Sequence, residues 1–253
     1  MNFRLRRIGL IFQVVVPILS STLGHAQQFN SDSYLSKPEG VATVILTYGE
    51  RDAMMMTTFS LIKNWEFTAA LYTYNDDDDP TTNDGYSSSF YFKYMFYENE
   101  ARTGGFSLKA GTGLKPGYVG GDYITHNAFK TFWMNTPATL SLFDNQLSWD
   151  LMPGASITRH FEIEGNNAWA FTYSTRIAWY AFGPELAIVG EIYGSEGEAR
   201  AIPEYKIGPR WEPNQYVVLA FTYGDELGST HGAGLQLGVM LFSPPFVCLG
   251  GCD

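Results

Sequence analysis

The chain has 253 residues, 16% of them aromatic and only 17% charged, with 26 acidic against 16 basic residues and a net charge of −10 at pH 7. Binding along a phosphate backbone depends on lysine and arginine, so this acidic balance argues against a nucleic-acid partner. About a quarter of residues are charged in ordinary soluble domains; many rings and few charges, with no long apolar run beyond the N-terminal stretch, exclude a bundle of membrane helices.

The first elements in chain order read as an export signal. Arg4, Arg6 and Arg7 precede the apolar stretch "IGLIFQVVVPIL", and Gly24 and Ala26 supply small residues for cleavage. That stretch is shorter than the roughly 20 residues a membrane-spanning helix needs. Residues 1–26 are therefore set apart, leaving 13 basic and 26 acidic residues and a net charge of −13 for 27–253.

From there the apolar period is two. Twelve strands are predicted near 41–49, 53–63, 65–75, 86–98, 104–114, 129–143, 147–159, 167–182, 185–195, 199–211, 215–224 and 232–242. In "YSSSFYFKYMFY", Phe90, Phe92, Tyr94 and Phe96 fall on one face and Ser87, Ser89, Tyr91 and Lys93 on the other. In "GFSLKAGTGL", Phe106, Leu108, Ala110 and Leu114 oppose Ser107, Lys109, Gly111 and Gly113. In "LSWDL", Leu147, Trp149 and Leu151 oppose Ser148 and Asp150. "AWAFTYSTRIAWYAF" sets Trp169, Phe171, Tyr173, Ile177 and Trp179 against Ala168, Ala170, Ser174 and Arg176. Tyr205, Ile207 and Trp211 oppose Glu204, Lys206 and Arg210; Val217, Leu219, Phe221 and Tyr223 oppose Val218, Ala220 and Thr222. "AMMMTTFSLI" has no clear face. Pro203 and Pro209 in one predicted strand, and Pro137 in another, lack ladder donors and call for bulges or a shorter strand.

A soluble sandwich also alternates, but its outward face is ordinarily rich in Lys and Glu. Here the polar face is small residues with single charges, and the apolar face carries large rings near strand ends. That pattern fits an all-β, transmembrane, antiparallel up-and-down barrel of about 12 strands, with rings toward lipid and a crowded polar interior. Closure removes the sheet edges that lipid would not tolerate. The connections mostly alternate between short turns ("KN", "DNQ", "GPE", "PNQ") and longer loops, "ENEARTGG" breaking the phase, and an even count places both termini on the periplasmic side. The barrel is expected to occupy 27–253, with a short C-terminal extension after about residue 243.

Parity turns a set of ionisable residues inward: Glu66, Lys93, Lys109, Asp150, Arg176, Glu185, Glu191, Glu204, Lys206 and Arg210. Two readings stand. They pair across strands and fill the barrel, since buried charges need partners, or they line a narrow wet path and set its selectivity. Eight strands leave room only for side chains or one small ligand and sixteen open a channel; twelve, with many inward Ala, Gly, Ser and Thr, fit a narrow substrate-selective passage for small organic solutes. The expected partners are outer-membrane lipid and a small solute. The alternatives are a plugged structural or partner-binding barrel and an outer-membrane hydrolase.

No cofactor or metal is expected. "NDDDDPTTNDG" gathers Asp76, Asp77, Asp78, Asp79 and Asp84 without the spacing of a calcium loop, and reads as a solvated outer loop. Cys248 and Cys252 are suited to a small terminal disulfide; C-x-x-x-C lacks further ligands for a metal. His126, His160 and His231 fall in or near outer loops, and neither G-x-S-x-G nor H-E-x-x-H occurs, so catalysis is not expected.

With its signal, its opening "EGVATVILTYGERD" and the segments "GPELAIVGEIYG", "IGPRWEPNQYVVLAFTYG" and "GAGLQLGVMLF", the chain resembles small Gram-negative outer-membrane barrels of the phenol-degradation (MetA-type) family. It is more weakly similar to nucleoside-specific channel-forming barrels. The resemblance implies passage of small, hydrophobic organic molecules; it carries over no functional residue. Such barrels commonly end on an aromatic residue of the last strand, whereas here "SPPFVCLGGCD" continues past Phe242.

Overall fold

The computed structural model describes residues 29, 31–74, 85–114, 129–159, 166–228 and 234–246. Fourteen strand segments make one antiparallel sheet: β1 (Val41–Gly49), β2 (Asp52–Ile62), β3 (Trp65–Tyr74), β4 (Gly85–Glu98), β5 (Gly104–Gly113), β6 (Thr131–Asn135), β7 (Ala138–Leu142), β8 (Leu147–Leu151), β9 (Gly154–Arg159), β10 (Asn167–Trp179), β11 (Leu186–Gly197), β12 (Ala201–Asn214), β13 (Val217–Glu226) and β14 (Gly234–Phe242). β1 pairs with both β2 and β14, so the sheet closes on itself. No helix occurs among the described residues.

The fourteen segments are twelve staves. β6 and β7 both lie along β5, and β8 and β9 both lie along β10, so each pair is one stave broken once. The breaks are at Pro137 and Pro153, which have no N–H to give the ladder. Their carbonyls remain in it: Ser107 N donates to Pro137 O at 2.9 Å, and Thr136 N to Pro153 O at 2.8 Å. The stave β12 is not shortened by its prolines. Beside Pro203 the partner strand shifts register between Tyr193 and Ser195, while Pro209 stays in register opposite Ile188.

The predicted strands and these staves agree to within a few residues, because parity is strongly written wherever one face carries rings. Leu46, Met55, Phe67, Phe90, Phe106, Trp149, Phe171, Trp211 and Phe221 all point outward and are exposed. In β2 the unresolved face separates cleanly: Met56, Thr58 and Ser60 are inside, Met55 and Phe59 outside. Leu114 is a correction. It was expected on the ring face with Leu108 and Ala110, but it is buried inside. Gly113 takes φ +94°, a left-handed conformation that ends the strand and swings the next side chain inward. A Cβ there would lie 1.9 Å from Ser88 O.

The exposed rings gather near the two ends of the staves. Tyr48, Tyr86, Phe129, Trp169 and Phe171 sit toward the end that bears the long loops; Phe106, Phe143, Trp179, Phe182 and Trp211 sit toward the end that bears the short turns. On β10, Trp169 and Trp179 share the outer face and mark the two belts. Their separation along the strand is roughly 33 Å at 3.3 Å per residue, or about 25 Å in height for a strand tilted by about 40°. That is the height of the apolar band of an outer-membrane barrel.

Candidate functional site

The inner face is narrow and mostly small: Thr43, Ser60, Thr68, Ala70, Ser87, Ser89, Ser107, Ser148, Ser156, Ala170, Ser174 and Ala220 are buried there. Among them stand the nine charged residues of the candidate lumen. Glu66, Lys93, Lys109, Asp150, Arg176, Glu191, Glu204, Lys206 and Arg210 are all buried on the inward parity of their strands. Glu185 is not among them: the turn between β10 and β11 leaves it exposed, because β11 begins at Leu186.

Most of these charges are paired, several of them by register across neighbouring strands. Arg176 opposes Asp150 across β10 and β8, and its Nε and Nη2 donate to Asp150 Oδ2 at 2.9 and 2.7 Å. Thr139 Oγ1 donates to the other carboxylate oxygen at 2.5 Å. At 1% and 0% exposure, guanidinium and carboxylate have traded water for each other, the condition under which such a pair is tolerated. Glu66 opposes Lys93 across β3 and β4, with Oε2 2.8 Å from Nζ. Arg210 Nη2 lies 3.1 Å from Glu212 Oε1, which also accepts from Tyr180 OH at 2.9 Å. Toward the loop end, Tyr193 OH donates to Glu204 Oε2 at 2.6 Å, and Lys206 lies over the Tyr193 ring.

Not every pairing joins opposite signs. Lys93 and Lys109 face each other directly across β4 and β5. Like charges in that position repel. The counter-charge comes from outside the sheet. Residues 29 and 31–40 precede β1 and run through the turn half of the lumen, and Asp32 Oδ2 sits 3.4 Å from Lys93 Nζ and 3.2 Å from Lys109 Nζ.

The rest of the segment is fixed on all sides. Phe29 packs against Ala178, Tyr180, Ala187, Val189 and Ala220, with the Arg176 guanidinium over its ring at 6.0 Å. Ser31 bonds Glu191 through its N–H and Ser174 through its hydroxyl. Tyr34 N donates to Thr139 Oγ1 and Tyr34 OH to Glu98 Oε1, both at 3.2 Å. Leu35 O accepts from Lys93 Nζ at 2.8 Å, and Lys37 N donates to Glu66 Oε1 at 2.7 Å. These contacts reach β3, β4, β5, β7, β10 and β11, so the segment bridges opposite walls of the barrel. With Ser31 and Ser33 at 0% and 1% exposure, it plugs this half of the lumen.

Above the plug one wall is apolar. Ile45, Met56, Tyr72, Tyr91, Trp133 and Met240 form a buried cluster on the inner face. The Tyr91 and Trp133 rings are 5.2 Å apart, and Lys109 Nζ lies 4.7 Å over Tyr91. Trp133 Nε1 is buried with no hydrogen-bond partner among the described residues.

Sequence reasoning missed three of these parts. Glu212, and Asp52, which accepts from the Nε2 of the buried Gln236, carry the inward parity of their strands, but the predicted ends, residue 211 and residue 53, cut both off. The plug has no periodicity to find. Its one signal was arithmetic, since Lys93 and Lys109 are inward neighbours with a single acid, Glu66, beside them. No group of three or more His, Cys, Asp or Glu residues able to hold a metal occurs among the described residues. The acidic run Asp76–Asp84, His126, His160, His231, Cys248, Cys252 and the export signal lie outside the described residues.

No family model matches the chain, and no curated protein matches it. Among solved structures it is similar to the KdgM porin, with a TM-score of 0.54 and 7% identity over 79% of this chain and 98% of that one. The KdgM porin in complex with disordered oligogalacturonate matches with a TM-score of 0.52, 8% identity and the same coverage. The COG4313 outer membrane channel from Pseudomonas putida F1 is 12% identical over 83% of this chain and 97% of that one, with a TM-score of 0.49. At these identities the likeness is one of fold: this is a closed twelve-stave, porin-like barrel of the outer-membrane type.

Proposed function

We propose that the chain is a narrow, selective channel in the bacterial outer membrane that passes small organic solutes. The reading rests on one observation, a closed barrel whose inner face is mostly small residues and compensated charges while most of its rings face out. Twelve strands enclose more than the packed core of an eight-stranded barrel and less than the open channel of a sixteen-stranded one. Glu66, Lys93, Lys109, Asp150, Arg176, Glu191, Glu204, Lys206 and Arg210 are its lumen-lining residues, pairing with one another at rest and flanking the path when it is open. No catalytic role is assigned. The membership in the MetA-type family that the sequence resembles is part of this proposal and is supported by the barrel architecture alone.

The test is conductance. Purified protein in a planar bilayer is expected to give small, discrete current steps and to speed uptake of small solutes into liposomes. A barrel that stays folded, by its heat-modifiable migration, yet never conducts even when residues 29–36 are deleted would refute the channel.

A second reading has an observation of its own in the plug, which favours a closed barrel serving as an envelope anchor or a partner-binding surface. It predicts a folded protein that remains silent with or without the plug.

A further inference from the structure

We infer that Lys93 and Lys109 form a carboxylate-binding site on the solute path, held in the closed barrel by the chain's own Asp32 and taken over by the carboxylate of a permeating solute when the plug withdraws. This rests on the channel reading and adds to it the chemical class of the solute.

The argument starts from the register. Two lysines directly opposite on the inner face of β4 and β5 are each buried, at 3% and 0% exposure. Lys93 has a partner within the sheet, Glu66. Lys109 does not: among the described residues Asp32 is the one carboxylate within ion-pair distance of its ammonium. When the plug is out, these three side chains carry a net positive charge in a confined space. Two ammonium groups against one carboxylate, held side by side on the lumen wall, attract an anion, so the open barrel offers it a place between Lys93 and Lys109. Asp32 shows the shape of what fits: a single carboxylate oxygen reaches both Nζ atoms, at 3.4 and 3.2 Å.

The surroundings narrow the class. Tyr91 lies under Lys109, and the Trp133 ring beside it carries an N–H with no hydrogen-bond partner among the described residues. A carboxylate attached to a flat apolar body would set its charge between the lysines and its ring against Tyr91 and Trp133. A solute with a phosphate or several charges would find too few cations, because Arg176 and Arg210 are each engaged by Asp150 and Glu212. The site therefore suits small monocarboxylates, aromatic ones best. Exchange also follows from the geometry. Asp32 and the solute carboxylate compete for the same two ammonium groups, so a bound solute favours the withdrawn plug.

The experiment uses the full-length chain in detergent and in planar bilayers, with benzoate as probe and benzyl alcohol as its uncharged counterpart. In Asp32→Asn the plug loses its charge and the lysines their anion. Benzoate is expected to bind this variant, measured by equilibrium dialysis, about tenfold or more tighter than it binds the parent chain, and benzyl alcohol is expected to bind neither. Adding Lys109→Gln to Asp32→Asn is expected to weaken benzoate about tenfold or more while the barrel keeps its heat-modifiable migration. In bilayers, benzoate is expected to reduce small-ion current through Asp32→Asn and to leave Asp32→Asn/Lys109→Gln unaffected. Equal binding of benzoate and benzyl alcohol, or benzoate binding that ignores Lys109, overturns the site. Dialysis reads the site even if no variant conducts; in that case the channel reading fails while the carboxylate site stands or falls on its own.

Discussion

An arginine moved onto the outer face should cost stability in proportion to its depth. Ala69 is exposed on the outer face of β3, midway between Trp65 at the turn end and Thr73 near the loop end, and it pairs with Thr57 and Phe90. Being small, it leaves no cavity when replaced, so Ala69→Arg adds a cation to the lipid surface and little else. At mid-depth an arginine costs about 2–4 kcal/mol, and near the interface about 0–1 kcal/mol. Thr73 has the same outward parity four residues on, about 13 Å along the strand at 3.3 Å per residue, and lies close to the rim. Ala69→Arg should therefore shift the folding equilibrium in lipid vesicles by roughly 25- to 700-fold, at 1.4 kcal/mol per factor of ten, and Thr73→Arg by less than about tenfold. Reversible denaturant unfolding from vesicles, followed by tryptophan fluorescence, reads both. Equal costs for the two variants, or no cost for either, would refute the claim that this face meets hydrocarbon.

Three further outcomes follow from contacts on the inner face. Arg176→Ala leaves Asp150 buried with Thr139 as its remaining hydrogen-bond partner among the described residues, and should destabilise the barrel by about 3–5 kcal/mol, while Arg176→Ala/Asp150→Ala should recover part of that loss in the same unfolding assay. Gly113→Ala forces a side chain into a left-handed backbone with its Cβ against Ser88 O, and should cost at least about 1–3 kcal/mol by chemical denaturation. Phe29→Ala empties the pocket formed by Ala178, Tyr180, Val189 and Ala220. The amides of residues 31–36 should then exchange with deuterium about a hundredfold faster or more, with those of β10 and β11 unchanged.

What was legible in the sequence was whatever repeats every two residues. In β10 the alternation from Trp169 to Trp179 fixes the register, the outer belts and the inward direction of Arg176 together, since a slip of one residue would put all the rings inside. The same parity turns Asp150 and Glu191 inward with Arg176, but that both stand directly opposite it is a matter of register, which the structure supplies. Legibility ended where periodicity ends. Leu114 departs from its strand because Gly113 turns the backbone, and Glu185 lies beyond the strand that would have aimed it. Pro137 and Pro153 interrupt two staves that hydrogen bonding through their carbonyls keeps continuous. The plug was invisible for a more basic reason. Residues 29 and 31–40 form no strand or helix, and their contacts with Glu66, Lys93, Glu191 and Ser174 span up to 160 positions in sequence. Such contacts are set by the three-dimensional charge balance of the lumen, which local pattern does not encode.

The most direct test of the whole account is a spin-label scan of residues 168–179 in lipid vesicles, with Cys248 and Cys252 replaced by serine. Labels at 169, 171, 173, 175, 177 and 179 should be reached by oxygen dissolved in the bilayer, most strongly near 173 and 175, and labels at the intervening positions should be shielded from it. Uniform accessibility along the stretch, or the opposite alternation, would contradict the placement of rings in lipid and of Arg176 in the lumen.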